Sequence, residues 1–299
     1  MKDMIKKYPF NPAYYQAHND ICKRRDTKRL YFSPLRIDLP HGRGAGATSF
    51  CAIEALLAVE KSVQENKKPR KTQRELPYHT AKQNDITKLC NVLFICPEPG
   101  FVEWELGYFH WALKKLCLDN FYTISRSDAT LTRIGTNNQI RIVTPERLRG
   151  VPLRKFSFFI IDEASCLTRN KFLDIHAWLC SLASSQNKIL LVSYNPKVKE
   201  DWLKADGNAY KRAQCSNYKR YHADYRSMPK AWLGKYFFIE AKMLKEANPK
   251  AYSEEYLGLP YKEPKKNVPC GTFSRIEKQS QGVEPQRTKT RKGKSKWKK

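Results

Sequence analysis

The sequence has few acidic residues for its length, no paired-cysteine motif and no long apolar run. Its 29 aspartates and glutamates stand against 56 lysines and arginines, which leaves a formal net charge of +27 over 299 residues. An excess of this size predicts a polyanionic partner, and nucleic acid is the first candidate. The hydrophobic share of 41% argues against a chain that is disordered throughout, because it is enough for a packed core.

The nine cysteines are odd in number and form no Cys-x-x-Cys pair, so neither a zinc site nor a disulfide framework is indicated. The N-terminus has no apolar segment of signal-peptide length. No segment approaches the ~20 apolar residues that cross a bilayer. We therefore expect a soluble protein in a reducing compartment, without a membrane partner.

Strand-like and helix-like segments alternate along the chain. The segments that favour strands are YFSPLRIDLP, NVLFIC, NQIRIVTPE, FSFFIIDEAS and KILLVSYNPK. Those that favour helices are FCAIEALLAVEKSVQ, WELGYFHWALKKLCLDN and NKFLDIHAWLCSLASS. Continuous apolar strands between helices predict an α/β fold with a mainly parallel central sheet flanked by helices. Ligands of such sheets bind beyond the carboxyl ends of the strands.

Composition divides the chain into three predicted parts: an N-terminal extension at 1–28, one α/β domain at 29–267 and a basic tail at 268–299. Within the domain, residues 66–86 are charged and read as an exposed insertion. The last thirteen residues hold eight basic residues and no acid, as in a disordered segment that grips phosphate backbones. A solubilising tail or a targeting signal is the alternative.

The stretch HGRGAGATSF, residues 41–50, has the glycine spacing of a loop that wraps phosphates. Such a loop points backbone N–H groups at the anion, with the positive end of the following helix behind them. Thr48 opens that helix and is suited to place its hydroxyl on Mg²⁺. The strict pattern G-x-x-x-x-G-K-[ST] fails twice, because His41 replaces the first glycine and Ala47 replaces the lysine. An ordinary glycine turn is the alternative.

Two further strands end in polar residues. Asp162 and Glu163 follow FFII, where the aspartate is suited to the magnesium shell and the glutamate to deprotonating an attacking water. Asn195 follows LLVSY and is placed to sense a γ-phosphate. Solvated acids at a strand end and an Asn-Pro turn are the alternatives. The ordered set of three motifs indicates an ATP-binding P-loop NTPase of the RecA-like, additional-strand class.

With these motifs, the sequence resembles the ATPase domain of large terminase subunits, the motors that package DNA into phage capsids. HGRGAGATS is similar to the GGRGSGKS loop of one branch of that family, and SYNPK to its coupling motif. The segment HADYRSMPKAWLGKYFFIEAKMLKEANPKAYSEEYLGLPY resembles the stretch that leads out of the ATPase domain. The resemblance covers roughly residues 28 to 275.

The resemblance implies a role for each matching position. The residues that would bind nucleotide are Gly42, Arg43, Gly44, Ala45, Gly46, Ala47, Thr48 and Ser49. Thr48 and Asp162 would hold Mg²⁺, Glu163 would be the catalytic base, and Asn195 would couple hydrolysis to movement of DNA. Arg43 is a catalytic candidate, since it occupies the loop arginine that the family keeps and would supply part of the charge that Ala47 lacks.

The implied function is an ATP-hydrolysing packaging subunit that moves double-stranded DNA into a procapsid in the cytoplasm of the infected host cell, transiently at the portal. The implied partners are the portal protein of the procapsid, the small terminase subunit, a separate nuclease chain and further copies of this chain in a ring. No nuclease is expected within this chain.

The loss of the lysine predicts slowed turnover. A non-catalytic DNA- or portal-binding subunit, and another nucleic-acid-dependent P-loop ATPase, are the alternatives. The adenine contact is open as well, because Phe10 and Tyr14 are candidates to stack on the base but are equally suited to internal packing.

Overall fold

A computed structural model describes residues 9–27, 33–67, 90–181, 188–196, 202–213, 217–259 and 261. The strands in this part are β1 Leu35–Pro40, β2 Asn91–Ile95, β3 Tyr122–Ser125, β4 Thr130–Arg133, β5 Gln139–Val143, β6 Phe156–Ile161, β7 Ile189–Tyr194 and β8 Tyr218–Arg220. The α-helices are α1 Tyr15–Asp26, α2 Ala47–Lys67, α3 Pro99–Lys115, α4 Arg169–Ser181, α5 Trp202–Ala213, α6 Gly234–Ala247 and α7 Pro249–Glu255.

The eight strands form one sheet in the order β3-β4-β5-β2-β6-β7-β1-β8. All neighbours from β5 to β8 pair in parallel, whereas β3 and β4 form an antiparallel hairpin at one edge. The predicted α/β fold with a mainly parallel sheet is thereby confirmed. In this order β7 lies between β1 and β6. Strand β7 is therefore the added strand that the RecA-like, additional-strand class requires.

The central strands β2, β6 and β7 are largely apolar because both faces of the sheet are covered. On β6, Phe158 and Ile160 pack with α2 and α3 on one face, while Phe159 and Ile161 pack with α4 on the other. Successive side chains of a strand point to opposite faces, so most positions of a strand buried on both faces are apolar. Burial of each such side chain stabilises the fold by roughly 1.5–3 kcal/mol relative to exposure. In β1, Arg36 and Asp38 are buried as an ion pair.

Several elements differ from the sequence-based expectation, and among them β8 and the helices α1 and α5 match no predicted segment. The hairpin β3–β4 has no counterpart among the predicted strands, since its four-residue strands are partly exposed and carry little apolar pattern. The helix expected to start at Trp104 begins at Pro99, because proline is tolerated in the first turn of a helix. It ends at Lys115 rather than continuing to Asn120, since Cys117 adopts a φ of 55° and leaves the helical conformation.

Other predictions fall where the structure gives no description. Residues 68–86 of the predicted insertion and the predicted basic tail, 268–299, lie outside the described residues. The domain boundaries at 28 and 267 stay predictions. Among the described residues, no helix is long and apolar enough to cross a bilayer.

Helix α1 is fixed to the helix that follows the glycine-rich loop. His18 of α1 places Nδ1 2.6 Å from Oε1 of Glu54 on α2, and both side chains are buried. Burial alone would lower the pKa of His18, but hydrogen bonds with Cys22 and Glu54 and the charge of Glu54 raise that pKa to about 10. The imidazole is therefore protonated at neutral pH and forms a buried ion pair.

We expect Glu54→Gln to lower the free energy of unfolding by about 3 kcal/mol at neutral or lower pH, because it leaves a buried cation without its partner. The pKa of His18 is higher in the folded than in the unfolded chain. Its contribution is therefore complete below pH 6.5 and is lost as pH rises through about 10. Urea unfolding of the natural chain and of Glu54→Gln, each at pH 6.5 and pH 10, measures the loss caused by the substitution and its decrease at high pH.

Glu246→Gln is the matched control, since Glu246 pairs with Lys242 on the exposed surface of α6. Its loss should stay under about 0.5 kcal/mol at either pH. An equal loss for Glu54→Gln at the two pH values would contradict the protonated state of His18.

Candidate active site

The glycine-rich loop connects β1 to α2 at the carboxyl edge of the sheet. Gly44 and Gly46 have φ of 75° and 72°, a left-handed conformation that strains residues with a side chain. The loop is held from outside by Asn11, whose Nδ2 donates to the carbonyl of Ala45 at 2.9 Å. Helix α2 begins at Ala47, and the first N–H groups of a helix have no partner within it. The loop therefore has the backbone of a phosphate cradle.

Thr48 and Asp162 are brought together across β7. The Thr48 hydroxyl donates to Oδ2 of Asp162 at 2.8 Å, and the aspartate is fully buried. The backbone N–H of Asp162 donates to the carbonyl of Ile95, which places the end of β6 beside the end of β2. The two predicted metal ligands, far apart in sequence, thus lie at one point of the sheet edge.

Ser193, near the end of β7, supports both predicted acids. Its hydroxyl donates to Oδ1 of Asp162 and accepts from the backbone N–H of Glu163 at 3.2 Å. Sequence reasoning misses Ser193, because a serine inside an apolar strand has no pattern of its own. The order of the strands is the signal that identifies it.

Glu163 directly follows Asp162 and turns away from it. Its φ of 47° is left-handed, a conformation that costs a non-glycine residue about 1–3 kcal/mol and that clusters at functional sites. Its Oε1 lies 3.6 Å from Nε2 of His41. His41, which interrupts the expected glycine pattern, therefore faces the predicted catalytic base.

Asn195 and Arg43 meet at the carbonyl of Glu255, the last residue of α7. The backbone N–H of Arg43 donates to this oxygen at 2.6 Å, and Nδ2 of Asn195 donates to it at 3.4 Å. Residues that follow α7 approach the loop so closely that a Cβ on Gly42 would lie 2.1 Å from the carbonyl oxygen of Tyr256. The segment after α7 therefore packs directly on the glycine-rich loop.

The guanidinium of Arg43 is directed to this same segment. It donates to the hydroxyl of Tyr256 at 3.1 Å, lies 5.4 Å from the centre of that ring, and is 3.5 Å from Oε2 of Glu240. Its side chain is 57% exposed. Compensation for the missing lysine by Arg43 stays a prediction. Ala47 itself is buried, and its methyl group brings no charge to the loop.

A third carboxyl group, that of Glu105 on α3, lies next to Asp162. Burial, the charge of Asp162 and a hydrogen bond with it raise the pKa of Glu105 to about 10. Oε2 of Glu105 is buried and has no hydrogen-bond partner among the described residues. Sequence reasoning misses Glu105 too, because an acid inside an amphipathic helix reads as a surface residue.

The residues present fit Mg²⁺. The Thr48 hydroxyl and the Asp162 carboxylate are hard oxygen donors of the kind that this ion prefers.

A cavity of about 870 Å³ opens beside Gly46 and Ser49. Its aromatic lining consists of Phe10, Trp104, Tyr108, Trp111 and Trp232. Its volume lies in the range of small-molecule sites.

The two aromatic residues considered for adenine stacking, Phe10 and Tyr14, are 1% and 0% exposed. Both pack against Phe50, with ring centroids 5.0 and 4.8 Å apart. For these two residues the structure shows the internal-packing alternative.

No protein-family model and no curated protein matches the sequence. Among solved structures, the large terminase of a thermophilic bacteriophage matches with a TM-score of 0.54 and 14% identity, over 84% of this chain and 54% of that one. The chain has the fold of a large terminase ATPase domain.

Two other structures agree. The ATPase domain of the Thermus phage P74-26 large terminase matches with a TM-score of 0.50 and 11% identity, over 81% of this chain and 92% of that one. The HK97 bacteriophage large terminase matches with a TM-score of 0.52 and 13% identity, over 76% of this chain and 47% of that one. This chain thus spans about half the length of the HK97 protein and of the thermophilic bacteriophage protein. The latter has been crystallised with ATP-γ-S and with ADP.

We expect Ser193→Ala to lower the free energy of unfolding by about 2 kcal/mol, because a buried carboxylate loses a hydrogen bond. Urea denaturation measures the loss. Ser127→Ala is the matched control, since the Ser127 hydroxyl contacts Ser125 on the exposed hairpin, and its loss should stay under about 0.5 kcal/mol. Equal losses for the two variants would contradict the supporting role of Ser193.

Proposed function

We propose that this chain is the ATPase subunit of a viral DNA-packaging terminase, with ATP and Mg²⁺ as its ligands. The observation that carries the proposal is the 2.8 Å hydrogen bond between Thr48 and Asp162, which joins the phosphate loop to the acid pair. The fold agrees, and the terminase of the thermophilic bacteriophage binds ATP-γ-S and ADP. A triphosphate bound on the loop would extend towards Asp162 and Glu163.

In this proposal each backbone or side-chain group of the site has one role. The N–H groups at the start of α2 bind phosphate oxygens. Thr48 and Asp162 would hold Mg²⁺, which would supply positive charge to the phosphates. Glu163 accepts a proton from the water whose oxygen attacks the γ-phosphorus. The bond from the γ-phosphorus to the bridging oxygen breaks, so ADP and phosphate leave. His41 orients the Glu163 carboxylate across 3.6 Å.

Ala47 removes a charged contact to the phosphates, which costs roughly 3–4 kcal/mol of transition-state stabilisation by analogy with other preorganised donors. Slow turnover is therefore part of the proposal. The alanine at position 47 also favours a second candidate function, that of a DNA- or portal-binding subunit that keeps the fold but does not hydrolyse ATP. Retention of Asp162, Glu163 and the serine that supports both favours the hydrolase.

The moving part is proposed to be the segment after α7. Asn195 and the loop both bind the carbonyl of Glu255, so a change at the γ-phosphate is transmitted to this segment. Double-stranded DNA is the proposed cargo, and the portal, a small terminase subunit, a separate nuclease chain and a ring of identical subunits are the proposed partners. The basic residues account for the DNA contact in this proposal. Four of them ahead of β6 are exposed, namely Arg147, Arg149, Arg154 and Lys155.

DNA-stimulated ATP hydrolysis tests the site. We expect Ala47→Lys to raise kcat by about 10²–10³, since it restores the charge at the phosphates. Glu163→Gln should abolish this gain when it is combined with Ala47→Lys. Gln64→Lys is the matched control, because it adds the same charge to an exposed position of α2 and should leave kcat within about twofold.

Turnover that is absent from the natural chain and from Ala47→Lys would support the binding subunit instead. A gain with Ala47→Lys that survives Glu163→Gln would contradict Glu163 as the base.

DNA binding should be insensitive to sequence and should fall steeply with salt, because phosphate contacts release counterions. We expect replacement of the eight basic residues at 287–299 by glutamine, in the full-length chain, to reduce the slope of log Kobs against log salt by about 3 or more. Fluorescence anisotropy with two duplexes of unrelated sequence measures this slope. An unchanged slope would show that the tail does not contact the backbone.

A further inference from the structure

One wall of the cavity beside the glycine-rich loop is formed by a single face of α3. Four residues at helical spacing along this face line the cavity, namely Trp104, Tyr108, Trp111 and Lys115. Trp104 is 72% exposed and Tyr108 is 37% exposed. Large aromatic side chains that stay exposed around a cavity are typical of a binding site, because burial in the core would otherwise be favoured.

Gly107 lies on the same face of α3 and also lines the cavity. Glycine destabilises the interior of a helix relative to alanine, so its presence there needs a reason. A left-handed backbone is not the reason, because the φ of Gly107 is not positive. Close packing is not the reason either, because no described atom lies within 4 Å of the position that a Cβ would take. Gly107 therefore leaves open space at the wall of the cavity.

The cavity is continuous with the loop that is proposed to bind phosphate. Gly46 belongs to the loop, Ser49 belongs to the first turn of α2, and both residues line the cavity. One ribose separates the base of a nucleotide from its α-phosphate. A nucleotide whose phosphates lie on the loop therefore reaches the cavity with its base. A flat aromatic ring is the group that aromatic side chains bind by stacking.

Adenine and guanine present similar faces but different hydrogen-bonding groups at their edges. Asn11 is the buried polar side chain of the described lining. Its Nδ2 donates to the carbonyl of Ala45 and to the hydroxyl of Ser227, each at 2.9 Å. Its Oδ1 accepts from the backbone N–H of Ala13 at 2.9 Å. This amide therefore has no N–H group left to read the edge of a base.

We propose that the cavity holds the base of the bound nucleotide by stacking on the aromatic side chains of α3, and that it accepts adenine and guanine with equal affinity. The proposal rests on the proposed function, because it takes the phosphates to lie on the loop. It extends that function from ATP to purine nucleotides as a class. Gly107 provides room for the ring, and Trp104 provides an exposed face on which the ring stacks.

Calorimetric titration of the full-length protein with MgADP, MgGDP and pyrophosphate tests the proposal. The dissociation constants of MgADP and MgGDP should lie within about threefold of each other, because stacking does not distinguish the two bases. Gly107→Leu should weaken the binding of both nucleotides at least about tenfold, since the leucine side chain occupies the space for the base. Pyrophosphate has no base, so its affinities for this variant and for the natural chain should agree within about twofold.

Gly100→Leu is the matched control, because Gly100 is an exposed glycine of the same helix that does not line the cavity. A Cβ at Gly100 also meets no described atom within 4 Å. All three affinities of this variant should stay within about twofold of those of the natural chain. Thermal unfolding reports whether Gly107→Leu is folded. Its Tm should not fall, because leucine favours a helix more than glycine does.

Trp104 is tested by a pair of variants. Trp104→Ala should weaken MgADP binding about tenfold, because the base loses a ring on which it stacks. Trp104→Phe should recover most of this loss, since a phenyl ring still offers a face. Pyrophosphate affinity should be unchanged in both variants.

Unchanged MgADP affinity in folded Gly107→Leu would overturn the proposal, and so would affinities for MgADP and MgGDP that differ more than about tenfold in the natural chain. A loss in Gly107→Leu that affects only a single-stranded oligonucleotide, measured by fluorescence anisotropy without nucleotide, would overturn it as well and would assign the cavity to a base of DNA. In these three cases MgADP still binds the natural chain, so the proposed function stands. Failure of both MgADP and pyrophosphate to bind the natural chain would contradict the proposed function and this proposal together.

Discussion

The hydrogen bond between the Thr48 hydroxyl and the Asp162 carboxylate is the contact on which the site depends. It joins the start of α2, the helix that follows β1, to the end of β6. In the sheet, β1 and β6 are separated by β7. The strand between them, β7, contributes Ser193. Its hydroxyl donates a hydrogen bond to Asp162 and accepts one from the backbone N–H of Glu163. Strand order, not proximity in sequence, therefore explains why a serine from an apolar strand belongs to the site.

The electrostatics of this edge are unusual for a phosphate-binding loop. Asp162 and Glu163 contribute two acidic side chains, while the lysine position is a buried alanine and the guanidinium of Arg43 contacts Tyr256. Such an arrangement is unfavourable for an anion unless other positive charge enters with or before it. The large basic surplus of the chain does not relieve this, because exposed charges are screened by salt over about 10 Å.

The sequence was sufficient for five strands of the sheet, namely β1, β2, β5, β6 and β7, and for the polar residues at the ends of β6 and β7. Long apolar runs identify strands that are buried on both faces, and glycines with a following helix identify the loop. The hairpin β3–β4 was not predictable, because short strands at an exposed edge need no apolar pattern. Ser193 and Glu105 were missed for another reason: their roles come from neighbours that are distant along the chain, and such contacts are set by the fold.

The carbonyl oxygen of Glu255 has two lone pairs, and both are engaged, one by the main chain of Arg43 and one by the amide of Asn195. The glycine-rich loop, the end of β7 and the end of α7 thus meet at one carbonyl group, beside the contact of the Arg43 side chain with Tyr256. No exchange of the side chain at position 255 removes that acceptor. Side-chain substitutions, whether natural or introduced by alanine scanning, leave this acceptor in place. Only a change in the main chain, such as an ester in place of the amide, alters it.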